Sequence, residues 1–216
     1  MTTSTHNKDY MSNHPEAGAR YRLLTSLATL VARLLVLPDW LIYQIERPLA
    51  GELAARIGMS ERMAKWPGML GIIMRRALIN VVCRGTGENL SVGTGTLISK
   101  WTATFGNNVY IGRLCVVGDA AIGDDVMIGD HVHIVSGGHG FDQTDKLLRF
   151  QTDTERRVTI GADTWIGSGA IILADVGSHT VVGAGSVVTK PMRDYQIVVG
   201  NPARSIRDRR DNKETM

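Results

Sequence analysis

Cysteine is almost missing: the 216-residue chain has two, Cys83 and Cys115, in no CxxC spacing. That excludes a disulfide framework and fits a reducing compartment. Aromatic residues make up only 6% of the chain, without the basic and aromatic interleaving that holds single-stranded nucleic acid. The net charge of +3 is small, and much of the basic excess sits in RSIRDRR near the C-terminus, so no nucleic-acid partner is expected. No charge-free apolar run reaches membrane-spanning length. The start, MTTSTHNKDYMSNHPEAG, lacks the basic segment and apolar run of a secretory signal. Residues 1–18 therefore read as a flexible leader, and the chain is expected in the cytoplasm. What is abundant is glycine, with 24 residues, which suits frequent tight turns rather than long helices.

Residues 19–84 read as a helical arm. In RYRLLTSLATLVARLLVL, apolar residues recur at Leu23, Leu24, Leu27, Leu30, Val31, Leu34 and Leu35, while Arg22, Ser26, Thr29 and Arg33 fall on another face. That is helical periodicity, with Pro38 as its expected stop. Further helices are expected from Pro48 to Ile57 and from Met69 to Val82, the latter carrying Arg75 and Arg76 beside an apolar face. Such an arm packs on its own protein or a neighbouring subunit, or it rests as a basic amphipathic helix on the inner membrane surface. The sequence leaves both readings open.

From residue 85 to 206 the pattern changes. Phe105-Gly106, Ile111-Gly112, Val117-Gly118, Ile122-Gly123, Ile128-Gly129 and Ile134 recur every six positions, with one five-residue step after Val117. The pattern resumes as Ile160-Gly161, Ile166-Gly167, Ile172, Val176-Gly177, Val182-Gly183 and Val188, after one shortened step of four before Val176. A second small or branched residue follows four places on in many hexads: Val126, Val132, Thr164, Ala170, Thr180 and Ser186. Neither the helical period nor simple alternation gives six. A coil with flat sides does, three sides to a rung, each rung burying its apolar residues on the next. Glycine after each apolar residue suits a crowded corner. The fold class is thus mainly β, a parallel β-helix of hexapeptide rungs with an N-terminal helical arm and a charged tail over 207–216.

The repeat lapses over 137–157, in a stretch rich in charge (FDQTDKLLRFQTDTERR). This reads as a loop thrown out from one corner, a common place for function on a rigid scaffold. At its start His139 stands in SGGHG, where the glycines allow close approach. A histidine there is either a surface residue or a general base suited to neutral pH.

The ordered set SGGHGFD, TIGADTWIGSGAII, VVGAGSVVTK and VVGNPARSI resembles the hexapeptide-repeat acyltransferases with a left-handed β-helix, in particular galactoside and maltose O-acetyltransferases. The resemblance covers roughly residues 90–206. The arm is similar to the lead-in of acetyltransferases that decorate exopolysaccharides. The resemblance implies an acetyl-CoA-dependent O-acetyltransferase acting in a ternary complex, with no metal. It places His139 as the catalytic base and implies a coenzyme channel lined by Trp165, Ser168, Ala184, Thr189, Lys190 and Arg204. It also implies a homotrimer with its sites between subunits, and a small-molecule or saccharide acceptor. Asp119 matches an acceptor-binding aspartate across a gap, and Arg113 stands near Ile111, which replaces the asparagine of the galactoside branch. Cys115 is read as core, not as an acyl carrier. Asp142 is the carboxylate that follows His139 most closely, but the orienting partner is left open.

Other readings fit the same residues. Serine and antibiotic acetyltransferases share the coil. A non-enzymatic scaffold would have no need of His139 together with Lys190 and Arg204. A zinc lyase of the γ-carbonic-anhydrase kind would need three converging histidines among His131, His133, His139 and His179.

Overall fold

The computed structural model describes residues 15–211; the leader expected over 1–18 and the tail over 207–216 fall partly outside that range. Three helices lead into the coil: α1 (Pro15–Ala50), α2 (Glu52–Ala64) and α3 (Gly68–Val82). Pro38 does not stop α1, which runs through both Pro38 and Pro48. A proline inside a helix loses one backbone hydrogen bond and crowds the preceding turn. Packing on both sides of Pro38 offsets this: Val36 and Tyr43 are buried against Met59, Met63 and Met74, and Arg62 holds Asp39 and Glu46. The break comes at Gly51, whose φ of 88° suits glycine.

The coil then makes about six left-handed turns. Its first face stacks Gly85–Thr86, Thr104–Phe105, Ala120–Ile122 and Val158–Ile160 in parallel. The second stacks Ser91–Val92, Tyr110–Ile111, Met127–Ile128, Trp165–Ile166, Val181–Val182 and Gln196–Val199. The third stacks Leu97–Ile98, Val116–Val117, His133–Ile134, Ile171–Ile172 and Val187–Val188. The register places Ile111 on Ile128, Ile128 on Ile166 and Ile166 on Val182, so the six-residue period becomes continuous apolar columns. All six second positions named from the sequence are buried as well.

Three of those second positions are hydroxyl residues, and each serves the backbone of the neighbouring coil. Thr164 donates to the Gly177 carbonyl, Thr180 to that of Arg193, and the Ser186 hydroxyl accepts from the Gly200 amide. A buried hydroxyl costs little when so paired. At the corners, a methyl group on Gly112 would lie 2.6 Å from the Gly129 carbonyl oxygen and carbon. Close stacking of the coils therefore requires glycine at that corner.

A coil has open ends, where backbone groups and core lack a neighbour. The arm closes the first one. Arg75, buried in α3, donates to the carbonyls of Val92, Met63 and Trp66, and Arg76 donates to that of Leu90. Ile79 joins the coil core, the Ile98 amide donates to Ser60 Oγ, and the Gly95 amide donates to the Ala64 carbonyl. At the other end Arg204–Asp208 pairs antiparallel to Gln196–Val199.

Candidate active site

The excursion leaves the coil after Ile134 on the third face and rejoins it at Val158 on the first. Its two limbs pair as antiparallel strands, Gly137 opposite Glu155 and Gly138 opposite Thr154. Continued by one residue, that register sets His139 opposite Asp153, and the imidazole Nδ1 lies 2.5 Å from Asp153 Oδ1. Both side chains are open to solvent, at 74% and 65% exposure. A carboxylate on Nδ1 holds the proton there and leaves Nε2 as the nitrogen able to accept one. Asp142 is not the partner; the returning limb supplies it.

The loop is fastened at both ends. At its base the Asp119 amide donates to Ser136 Oγ at 2.8 Å, the Val158 amide to the Asp119 carbonyl, and the Arg156 amide to the Ser136 carbonyl. Farther out the buried Gln151 side chain donates to the carbonyls of Gln143 and Lys146 and accepts from the Gln143 amide. Sequence reasoning missed both Asp153 and Gln151. Asp119 thus sits where the two limbs meet the coil, with its Oδ1 buried and free of a hydrogen bond. The nearest cation is Arg157, whose Nη1 is 3.4 Å away, an ionic approach without hydrogen-bond geometry.

The remaining candidates occupy other places on the coil. Trp165 stands outward on the second face between Met127 and Val181 and is 52% exposed. Ser168 and Ala184 lie on successive coils at the corner between the second and third faces, with the Gly185 amide donating to the Ser168 carbonyl at 2.9 Å. The shortened step before Val176 therefore does not throw them out of register. It is absorbed at the next corner, where Val176 makes single bridges to Ile160 and Met192. Thr189 and Lys190 are exposed at the end of the third face, along the edge from which the loop departs. Arg204 opens the last strand opposite Val199.

Arg113 belongs to the Ser168 corner, not to the loop. It holds Asp130 at 2.8 Å, keeping that carboxyl below its usual range, first through this side-chain contact and then through its own backbone amide. The Asp130 amide donates in turn to Ser168 Oγ. Within one chain, then, Asp119 stands at the base of the loop that carries His139, and Arg113 shares another corner with Ser168 and Ala184.

Among the described residues no three His, Cys, Asp or Glu side chains come close enough to hold a metal ion. His131 and His179 occupy corner positions with positive φ, and His179 is engaged by Asp163 at 2.9 Å and stacked on Tyr195. Among the described residues the three-histidine arrangement of a zinc lyase is not assembled. The thiols offer no nucleophile either: burial raises Cys83 to about 12 and also raises Cys115, which is fully buried. Native protein at pH 8 is expected to resist iodoacetamide at both cysteines, and Cys115→Ala to keep turnover within about twofold; rapid labelling of Cys115 alongside loss of activity contradicts this.

No family model matches the chain. Galactoside O-acetyltransferase of Escherichia coli K12 is 33% identical over 148 residues, covering 63% of this chain and 70% of the enzyme. A probable acetyltransferase of Mycobacterium tuberculosis is 34% identical over 110 residues, and there the match spans 49% of this chain and only 37% of the relative. Among solved structures, a galactoside acetyltransferase in complex with coenzyme A superposes with a TM-score of 0.62 and 27% identity, covering 74% of this chain and 83% of that one. A maltose O-acetyltransferase of Clostridium difficile shares the fold at a TM-score of 0.55 and 24% identity, over 72% of this chain and 87% of that one.

Proposed function

Because the chain belongs to the galactoside O-acetyltransferase family of left-handed β-helix acetyltransferases, we propose that it transfers the acetyl group of acetyl-CoA to a hydroxyl of a sugar or saccharide intermediate. The observation that carries the reading is the His139–Asp153 pair, 2.5 Å apart on a loop fastened at its base and tip. An alcohol is too weak a nucleophile at neutral pH unless its proton is removed as it attacks. His139 Nε2 takes that proton while the acceptor oxygen bonds to the thioester carbonyl carbon. The tetrahedral intermediate then collapses with rupture of the C–S bond, and the proton on Nε2 passes to the departing sulfur. The products are an acetyl ester and free coenzyme A.

Lys190 and Arg204 supply positive charge for the coenzyme's phosphates. Trp165 walls the acyl end, and Ser168, Ala184 and Thr189 line the pantetheine path. In one chain Ser168 and Ala184 occupy a different corner from His139. A homotrimer, with the groove of one copy facing the loop of the next, completes the site. Asp119 then meets the acceptor from the loop corner and Arg113 from the adjacent copy. The cytoplasm is the proposed location.

The test is free-thiol release from acetyl-CoA against sugars, nucleotide sugars, serine and chloramphenicol, with mass measured by light scattering. Turnover with a saccharide by a trimer is expected. Turnover confined to serine or chloramphenicol overturns the acceptor class, and a fully active monomer overturns the shared site. Asp153→Asn is expected to lower kcat about 10- to 100-fold with the KM for acetyl-CoA unchanged, and Asp153→Glu to recover part of the loss. An equal change in KM instead marks Asp153 as a loop brace.

A further inference from the structure

Arg157 is the last residue of the loop, and its side chain turns back across the coil. Carried back from Val158 on Ala120 and from Thr104 on Ala121, the parallel register lines up Thr102, Asp119 and Arg157 at one position on three successive coils. Nη2 of Arg157 donates to Thr104 Oγ1 at 2.6 Å and Nη1 to the Thr102 carbonyl at 3.2 Å. The guanidinium thus reaches past the coil that carries Asp119 to the one before it. Two bonds from one planar group fix its orientation, and with it the direction of its charge.

Asp119 is crossed on the way. Its Oδ1 is buried and takes no hydrogen bond among the described residues, and Arg157 Nη1 stands 3.4 Å from it. The side chain as a whole is 29% exposed, and Oδ2 is neither hydrogen-bonded among the described residues nor enclosed as Oδ1 is. One oxygen therefore faces the guanidinium, and the other is open at the loop corner. A charged oxygen is costly to bury without a counter-charge, so the inward setting of Oδ1 depends on Arg157.

Fastening the loop does not depend on this side chain. Glu155 meets Lys100 at 2.6 Å, Arg156 meets Asp175 at 2.7 Å, and the amides of Arg156 and Val158 donate to the Ser136 and Asp119 carbonyls. The His139–Asp153 pair lies farther out on the paired limbs, and the coenzyme contacts proposed above use other residues. What Arg157 controls is the carboxylate.

We propose that Arg157 is a positioning residue for the acceptor: it holds Asp119 Oδ1 inward and so presents Oδ2 to an acceptor hydroxyl. A carboxylate only accepts hydrogen bonds, so the group it meets is a donor, as a sugar hydroxyl is. Arg157 itself touches no substrate. Without it Asp119 turns its buried oxygen toward water, and the direction of Oδ2 is lost. The inference rests on the acceptor contact proposed above for Asp119.

The test is initial-rate kinetics with acetyl-CoA and the saccharide that the wild type turns over fastest, methyl galactoside being the first tried. Arg157→Ala is expected to raise the saccharide KM about tenfold, with kcat within about threefold and the KM for acetyl-CoA unchanged. Arg157→Lys should recover part of the loss. Thr104→Val, which frees the guanidinium from one tie and keeps its charge, should give a smaller rise in the same KM and serves as the readout if Arg157→Ala does not fold. Asp119→Ala/Arg157→Ala should bind the saccharide no more weakly than Asp119→Ala alone. An unchanged saccharide KM in Arg157→Ala, or losses that add to those of Asp119→Ala, overturns the proposal. An equal loss toward both substrates also overturns it and makes Arg157 a brace of the loop. Absence of saccharide turnover by the wild type removes the proposed reaction and this inference together, whereas wild-type turnover with an unaffected Arg157→Ala removes this inference alone.

Discussion

Alanine at position 139 is expected to lower acceptor-dependent thiol release about 10²- to 10⁴-fold while acetyl-CoA still binds with near wild-type affinity. The reason lies in where the imidazole sits. It packs against no core residue, and its polar partner is an equally exposed carboxylate. Its removal opens no cavity and strands no buried group, so the loss falls on proton transfer rather than on folding. In the proposed trimer the groove around Ser168 and Ala184 of one copy faces the loop of the next, and the coenzyme's phosphates and pantetheine are held by other side chains, so the loss of the imidazole should weaken its binding little. In the proposed mechanism Asp153 acts through His139, so the double variant His139→Ala/Asp153→Asn should be no slower than His139→Ala alone. Additive losses would show that Asp153 contacts substrate itself, and full activity of His139→Ala would remove the general-base mechanism.

The coil was legible because its signal is periodic and redundant. Ile111, Ile128 and Ile166 repeat a position that matters equally in every turn, so one five-residue step and one four-residue step do not hide it. Even the burial of Thr164, Thr180 and Ser186 follows from spacing alone, although their task of pairing with the next coil's backbone does not. His139 stood out for the opposite reason, as the residue where the period lapses.

Asp153 was not legible. The loop holds Asp142, Asp145, Asp153 and Glu155, and only the register of a two-residue hairpin decides which of them meets the imidazole. That register depends on contacts at the loop's base and tip, with Ser136, Asp119 and Gln151, which carry no local sequence signature. Arg113 illustrates the same limit on the coil: the resemblance named it for its nearness to Ile111, whereas the corner it shares with Asp130 and Ser168 is set by which of the three faces follows it. In the arm the proline at 38 was a misleading signal. A helix boundary is a balance, and the local cost of Pro38 is outweighed by tertiary contacts that only the assembled helices make.

Those contacts also place the largest stability effect in the arm. Arg75→Ala is expected to destabilise the fold by about 3–5 kcal/mol, seen as an apparent unfolding midpoint lower by on the order of 10 °C. The guanidinium is buried, and burial lowers its pKa, which measures the cost of holding the charge there. Nε and Nη1 offset part of that cost through three carbonyls, those of Val92, Met63 and Trp66, while Nη2 is buried without a partner among the described residues. The carbonyls come from the first coil, from α2 and from the turn before α3, so one side chain ties together three parts of the molecule. Alanine deprives all three carbonyls of this donor and leaves the open end of the coil less well closed. Arg75→Lys keeps the charge but not the planar fork, and should recover only part of the loss. A midpoint unchanged in Arg75→Ala would mean that apolar packing through Ile79 and the Ser60 and Ala64 contacts closes the coil without the arginine. Unfolding of the arm alone, with the coil's transition intact, would show instead that Arg75 fastens the cap to a coil already stable by itself.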